Sequence, residues 1–401
     1  MKIIERKSYL ESLQNMRLTP DIKVVTGVRR AGKSELIRTY MRWLKINDKK
    51  ANIIFVDFVL ISSEPLQEYH ALHDYIEQHY LKGKNNYVFI DEVQLCKRFE
   101  LAINSLHAME KYDIYITGSN AFLLNSDLAT LFTGRVMTIH IFPFSFAEYR
   151  AYFGEQELQS QFDQYVLDGG LAGSYVYATP QEKTNYVHEV FTTVLERDIV
   201  QRYKLSDAFL LNKIAEYLMD NVSNTASARS VAGVLQSEHM KTNHVTVGNY
   251  IDYLYRTFLF YQVKRFDIHG KGYLRMIDKY YLVDSGFRYA ILGTRNMDYG
   301  RIYENLVAIE LLRRGYEIYV GKLYQKEIDF VAMRGSEKIY IQVSDDISSP
   351  DTFKREYKPL LQIKDAYPRY IIARTRKPKY DYQGIQIVDL ADWLSSKQMN
   401  L

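Results

Sequence analysis

The sequence predicts an α/β multidomain protein: a parallel sheet covered by helices on both faces, then a helical segment, then three helices closed by a hairpin, then a separate α/β domain. Two observations carry the first element. Short apolar runs alternate with amphipathic stretches over the first third of the chain, and the runs are long enough only for strands. A third observation carries the rest: 401 residues exceed what one hydrophobic core comfortably holds, so further domains must follow.

The strands expected in the first element are 22–26, 52–58, 87–90, 113–117 and 136–142, a βα alternation that needs crossover helices and therefore a parallel sheet. After Pro143 the pattern turns helical to about Lys204, broken at Asp168-Gly169-Gly170, where two glycines permit a tight bend. Between Ser206 and Asp267 three amphipathic stretches lead into a strand at 260–267, the loop Ile268-His269-Gly270-Lys271-Gly272 and a strand at 276–283. That is the order of a winged helix, with 245–254 in the recognition-helix place. A helix over 303–314 and strands near 316–320, 328–333 and 339–343 give the last domain. The expected boundaries are 1–147, 148–205, 206–284 and 285–401.

Composition narrows the function classes. Hydrophobic residues at 47% and charged residues at 25% exclude a disordered or fibrous chain. No apolar leader follows the charged start, and no apolar run approaches the ~20 residues of a membrane span, so the expected location is cytoplasmic, with no membrane partner. The single cysteine, Cys96, forms no intramolecular disulfide and no Cys-rich zinc site. His70 and His73 lie a helical turn apart without a third ligand nearby, and they read as a solvated face. A net charge of +4 is a mild bias toward polyanions and leaves nucleic acid open as a partner.

The chemistry is concentrated at Gly27-Val28-Arg29-Arg30-Ala31-Gly32-Lys33-Ser34, a G-x-x-x-x-G-K-[ST] string between a strand and a helix. Glycines let backbone N–H groups curl around phosphate oxygens, and the helix opening at Glu35 directs its positive end at them. Lys33 is expected on the β and γ phosphates of ATP and the Ser34 hydroxyl on Mg²⁺. Asp91 and Glu92 end the apolar strand that follows by one βαβ unit; Asp91 is expected on Mg²⁺ and Glu92 as the base that polarises attacking water. Thr117-Gly118-Ser119-Asn120 ends the next strand, where Ser119 or Asn120 would reach the γ-phosphate or the lytic water; a strand-ending turn is the other reading. Arg135 reads either as an arginine finger on transition-state charge or as a surface arginine capping a strand.

GVRRAGKSEL, YVFIDEVQ, ITGSNA, LFTGR and IFPFSFAEY, continuing through LDGGLAGSYVY, LERDIVQRYK, YLVDSGFRYAILG, RIYENLVAIELLRRGYEIYV and EIDFVA, resemble the bacterial and archaeal AAA-type ATPases that carry a C-terminal DUF4143 domain. The resemblance covers nearly the whole chain. It implies an AAA-like core, a helical lid over 148–205, a winged helix and a C-terminal domain similar to PD-(D/E)XK nucleases. It also implies assembly into a homo-oligomer in which one subunit's arginine completes a neighbour's site. Arg197 and Asp198, in LERDIVQRY, would reach the nucleotide from the lid or form a lid ion pair.

Two further sites follow from the later domains. Thr246, Asn249 and Tyr250 on the recognition-helix stretch are polar but not basic, while Lys241, Arg256, Lys264, Arg265, Lys271 and Arg275 surround it and are available to DNA phosphates or to solvent. A PD-(D/E)XK nuclease needs a helix carboxylate, a strand aspartate and an acid-x-lysine on the next strand. Glu304 and Asp329 supply the first two, but Gln342-Val343-Ser344 stands in the third place; Lys322 or Lys338 would have to replace the lysine from elsewhere. The site reads as degenerate. The expected function is Mg-dependent ATP binding and hydrolysis coupled to conformational change on DNA or a DNA-associated partner. An ATP-regulated nuclease and a slow nucleotide-dependent protein-binding switch are the alternatives.

Overall fold

The structure, a computed structural model, describes residues 4–118, 132, 134–270, 272–294 and 297–396, with the side chains of 272–277 outside that description. The chain forms two compact units, Lys2–Phe142 and Pro143–Leu401.

The first unit is built on five parallel strands: β1 (Ile22–Thr26), β2 (Ala51–Asp57), β3 (Asn85–Asp91), β4 (Tyr112–Thr117) and β5 (Val136–His140), in the order β2-β3-β4-β1-β5. All five expected strands are present, each within two residues at either end. β1 is buried along its whole length and β3 from Asn86 onward, as strands covered on both faces must be, and Ile22, Val24, Val88, Ile90, Ile114 and Ile116 pack into one core with the helices Tyr69–Gln78 and Phe99–Ala108. A polar network lies inside this sheet. Lys23, fully buried, donates to Asp113 Oδ1 at 2.6 Å and to the Thr19 carbonyl at 2.6 Å; Asp113 Oδ2 accepts from Leu18 N and from the Tyr115 hydroxyl. Because every partner is satisfied, the pair is tolerated there.

The second unit begins with helices whose starts are written in the sequence. Ser145 with Glu148 and Thr179 with Glu182 form capping boxes for the helices Phe146–Phe153 and Pro180–Thr193, so two orphan donors are met at each start. The latter helix runs into a π-helical stretch, Val194–Val200, which holds Arg197 exposed and Asp198 buried. Helices Ala208–Asp220, Ala228–Ser237 and His244–Arg256 follow, as expected.

The hairpin after them departs from an isolated wing. Its strands β7 (Phe260–Asp267) and β8 (Gly272–Leu282) belong to a nine-stranded mixed sheet, ordered β13-β14-β12-β11-β10-β9-β7-β8-β6, where β6 is Thr225–Ala226, β9 Glu317–Leu323, β10 Lys326–Arg334, β11 Glu337–Ser344, β12 Arg369–Ala373, β13 Tyr380–Tyr382 and β14 Ile385–Asp389. β7 pairs in parallel with β9 from Arg265–Val320 to Asp267–Lys322, which joins the hairpin to the C-terminal strands in one hydrogen-bonded layer. The helix Tyr299–Arg313 packs on this sheet, and a second helix, Pro350–Leu361, crosses between the parallel strands β11 and β12.

Candidate nucleotide site

The C-terminal ends of β1 and β3 create the site. Gly27 leaves β1 at φ +139°, and a Cβ built there would stand 2.1 Å from the Ile141 carbonyl oxygen, so only glycine lets the chain turn beside β5. Arg30 and Gly32 also take positive φ, and the helix Lys33–Asn47 starts directly after them. The loop therefore wraps a concave run of backbone ahead of a helix N-terminus, which is what a phosphate chain requires. Lys33 is buried, and its ammonium donates to the Gly27 and Val28 carbonyls at 2.8 and 3.0 Å, across the mouth of the loop. Val28 and Ala31 are buried; Arg30 and Glu35 are exposed, and Arg29 is half-buried.

Asp91 closes the other side. Its carboxylate receives hydrogen bonds from the Thr117 and Ser34 hydroxyls, so the two residues expected on Mg²⁺ are adjacent. Burial pushes the Asp91 carboxyl above the usual range; those hydrogen bonds oppose the shift, and the charges of Glu92 and Asp57 add to it. A hydroxyl and a buried carboxylate side by side are hard oxygen donors, and they fit a divalent cation held together with phosphate. Glu92, the next residue, is held in the left-handed region at φ 55°; its N–H donates to Thr117 Oγ1 at 3.1 Å and its carboxylate accepts from Gln94. A non-glycine residue in that region at a strand end is a strained position of the kind that functional sites retain.

Three contributors were not legible as site residues. Thr117, part of the expected polar cluster, links Asp91 to the Glu92 backbone because β3 and β4 are in register from Asn86–Tyr112 to Ile90–Ile116, one residue earlier. Arg6, buried, donates to the Ala31 carbonyl at 3.0 Å from outside every motif. His140, at the end of β5, has Nδ1 3.0 Å from Thr26 Oγ1; burial, helped by the Lys33 ammonium, holds its imidazole down to about 3, so it stays neutral. Ser119 and Asn120 lie outside the described residues.

Arg135 stands apart. It is exposed and its carbonyl accepts from Ile22 N, at the start of β1, whereas the loop follows the end of that strand. Five residues of strand, roughly 15 Å, separate the two levels. Within one chain Arg135 does not join this site.

In the second unit Glu304 and Asp329 come close enough for Glu304 to raise the Asp329 carboxyl well above the usual range, second to burial itself. Gln342 sits on the neighbouring strand, where Val343 N donates to Asp329 Oδ2 at 2.7 Å. Neither expected substitute lysine is used. Lys338 lies over the Tyr340 and Tyr367 rings beside Asp365, and Lys322 pairs across β9–β10 with Glu327 only through the backbone ladder. Lys279 of β8, a residue no motif singled out, is within 2.9 Å of Glu304 and 2.7 Å of Glu327. No helix among the described residues is long and apolar enough to cross a membrane.

Comparison with known proteins adds three findings. Residues 19–150 match the family described as AAA domain, and residues 159–298 match a domain of unknown function, DUF8612, a span that falls mostly on the expected lid and winged-helix segments and overlaps the 285–401 expected as DUF4143 only at its start. An uncharacterized protein of Haemophilus influenzae is 35% identical over 399 residues, covering 98% of each chain, and an uncharacterized protein of Methanocaldococcus jannaschii is 25% identical over 378 residues, covering 89% of this chain and 80% of that one. AMPPCP-bound DnaA from Aquifex aeolicus is similar at 16% identity and a TM-score of 0.32, covering 63% of this chain and 89% of that one.

Proposed function

Because the chain belongs to one family with its Haemophilus influenzae relative and carries an AAA domain, we propose that it binds ATP with Mg²⁺ and hydrolyses it. The observation that carries this reading is the meeting of the Gly27–Ser34 loop with Asp91 at the ends of two parallel strands. The phosphates would take the place of the Gly27 and Val28 carbonyls as partners of Lys33. Mg²⁺ between Ser34, Asp91 and the phosphates would supply charge neutralisation on the transferring group. Glu92, carried beside Asp91 on the same turn, orients the attacking water and accepts its proton.

The energy of hydrolysis acts on DNA or a DNA-associated partner in this reading. Its support is the winged-helix order of 208–282 with Lys241 and Lys264 exposed; Arg256 and Arg265 are already paired with Asp252 and Glu327. Arg135, remote from its own loop, acts on a second copy's nucleotide, so the active form is an oligomer. The C-terminal strands and helices, ordered helix, β9, β10, β11, helix, β12, form a nuclease-like domain that has lost cleavage.

Lys33→Ala should abolish or severely weaken ATP binding, measured by calorimetry. Glu92→Gln should keep binding while phosphate release falls by about 10²-fold or more. Wild-type turnover in Glu92→Gln would remove Glu92 from the base role. Stimulation of phosphate release by DNA separates a DNA-coupled enzyme from a slow protein-binding switch.

A further inference from the structure

The second unit holds a cluster of charge that the nucleotide cycle does not use. Glu304 projects from the helix Tyr299–Arg313, Glu327 and Asp329 from β10, and Lys279 from β8. The Lys279 ammonium is 2.9 Å from Glu304 Oε1 and 2.7 Å from Glu327 Oε1, and the Tyr281 hydroxyl donates to the same Glu304 oxygen at 2.7 Å. Lys279 and Glu304 are both buried; Glu327 is half-buried and is also approached by Arg265 at 3.3 Å. The β9–β10 ladder shifts register between Ile328 and Val331, the interval that contains Asp329 and Phe330. Beside the cluster a cavity of about 480 Å³ is lined by Glu327, Gln342, Glu356, Lys326 and Lys354, and the Gln342 side-chain oxygen, itself buried, has no hydrogen-bond partner among the described residues.

A nuclease of the kind this domain resembles would place a divalent cation among these carboxylates. The residues present do not fit one. An oxygen 2.7–2.9 Å from an ammonium is already saturated with positive charge, and a metal ~2.0–2.2 Å from the same two oxygens would stand within a few ångströms of that ammonium, in a buried place where water screens poorly. Carboxylates from two elements therefore converge on a cation that the chain itself provides. We propose that Lys279 is a resident cation that occupies the Glu304–Glu327–Asp329 cluster in place of a divalent metal, and that the cluster becomes a divalent-cation site only when Lys279 is replaced by an uncharged residue. The conclusion that this domain does not cleave follows from an occupied site as well as from the missing acid-x-lysine.

The test is Mn²⁺ binding to the full chain, followed by electron paramagnetic resonance of free Mn²⁺ and by the thermal midpoint. Every protein carries Asp91→Asn, so that the Ser34–Asp91 pair contributes no site and failure of the nucleotide reading does not affect the outcome. With Lys279 intact, no Mn²⁺ binding that depends on Glu304 is expected. Lys279→Met should add one Mn²⁺ per chain, bound about ten-fold or more tighter than any Glu304-dependent binding in the lysine-containing protein. Mn²⁺ should also raise the thermal midpoint of Lys279→Met and leave the lysine protein unmoved. Adding Glu304→Gln to Lys279→Met should remove the new site. Lys279→Gln, which keeps a hydrogen-bond donor, serves if the methionine variant fails to fold. Glu304-dependent Mn²⁺ binding with Lys279 in place would overturn the proposal, as would a folded neutral variant that gains no site.

Discussion

At the scale of single residues, the buried carboxyls carry the strongest pH dependence. Asp284 is buried and accepts the Gly170 and Gly286 N–H groups at 2.6 and 2.8 Å, clamping the turn at Gly169, where a Cβ would meet its carboxylate at 1.9 Å. Burial pushes this carboxyl up from 3.8 to about 6; the two backbone donors and Arg313 only partly offset it. A raised acid binds its proton more tightly folded than unfolded, so it favours folding at low pH, and that contribution is lost as pH rises from about 4 through about 6. The swing is on the order of 3 kcal/mol as an upper figure. Asp284→Asn should flatten the slope, read as the difference between wild-type and variant unfolding free energies by urea at pH 4 and pH 7. An unchanged slope in the variant would place the ionisation elsewhere.

At the scale of elements, the Lys23–Asp113 pair links β1 to β4 from within the sheet. Removing one member leaves the other charge buried and uncompensated, which costs about 3–5 kcal/mol, whereas removing both costs much less. Lys23→Met should therefore destabilise the first unit by that amount in urea, and Lys23→Met with Asp113→Asn should recover part of it. Loss that simply adds between the two single variants would mean the pair is not coupled. The element scale also shows where periodicity reads well. β1 to β4 are apolar runs separated by amphipathic stretches, a pattern that predicts a parallel sheet but not the order of its strands. The hairpin β7–β8 has the same local signature whether it stands free as a wing or extends a sheet, because pairing with β9 is decided by residues some fifty positions away.

At the scale of the whole molecule, the two units should respond separately to ligand. A ligand that binds only the folded state stabilises the unit that contains its site, by about 2.7 kcal/mol at a hundred-fold excess over its Kd. Calorimetry with Mg²⁺ and a non-hydrolysable ATP analogue should raise the unfolding transition that contains Lys2–Phe142, and Lys33→Ala should abolish the shift. A shift retained in Lys33→Ala would place the nucleotide elsewhere.

The sequence by itself determined the parallel core, the Gly27–Ser34 loop and the Asp91–Glu92 strand end, because glycine geometry, strand periodicity and the spacing of phosphate-binding groups are local properties of the chain. Only the tertiary structure decided which distant residues complete each site. Thr117 reaches Asp91 through strand register, Arg6 meets Ala31 by packing, Arg135 lies at the far end of its own sheet, and Lys279 enters the Glu304–Glu327 cluster from a strand 25 residues before Glu304. Each of these depends on which strands pair and in what register, and long-range pairing leaves no signature in the spacing of neighbouring residues.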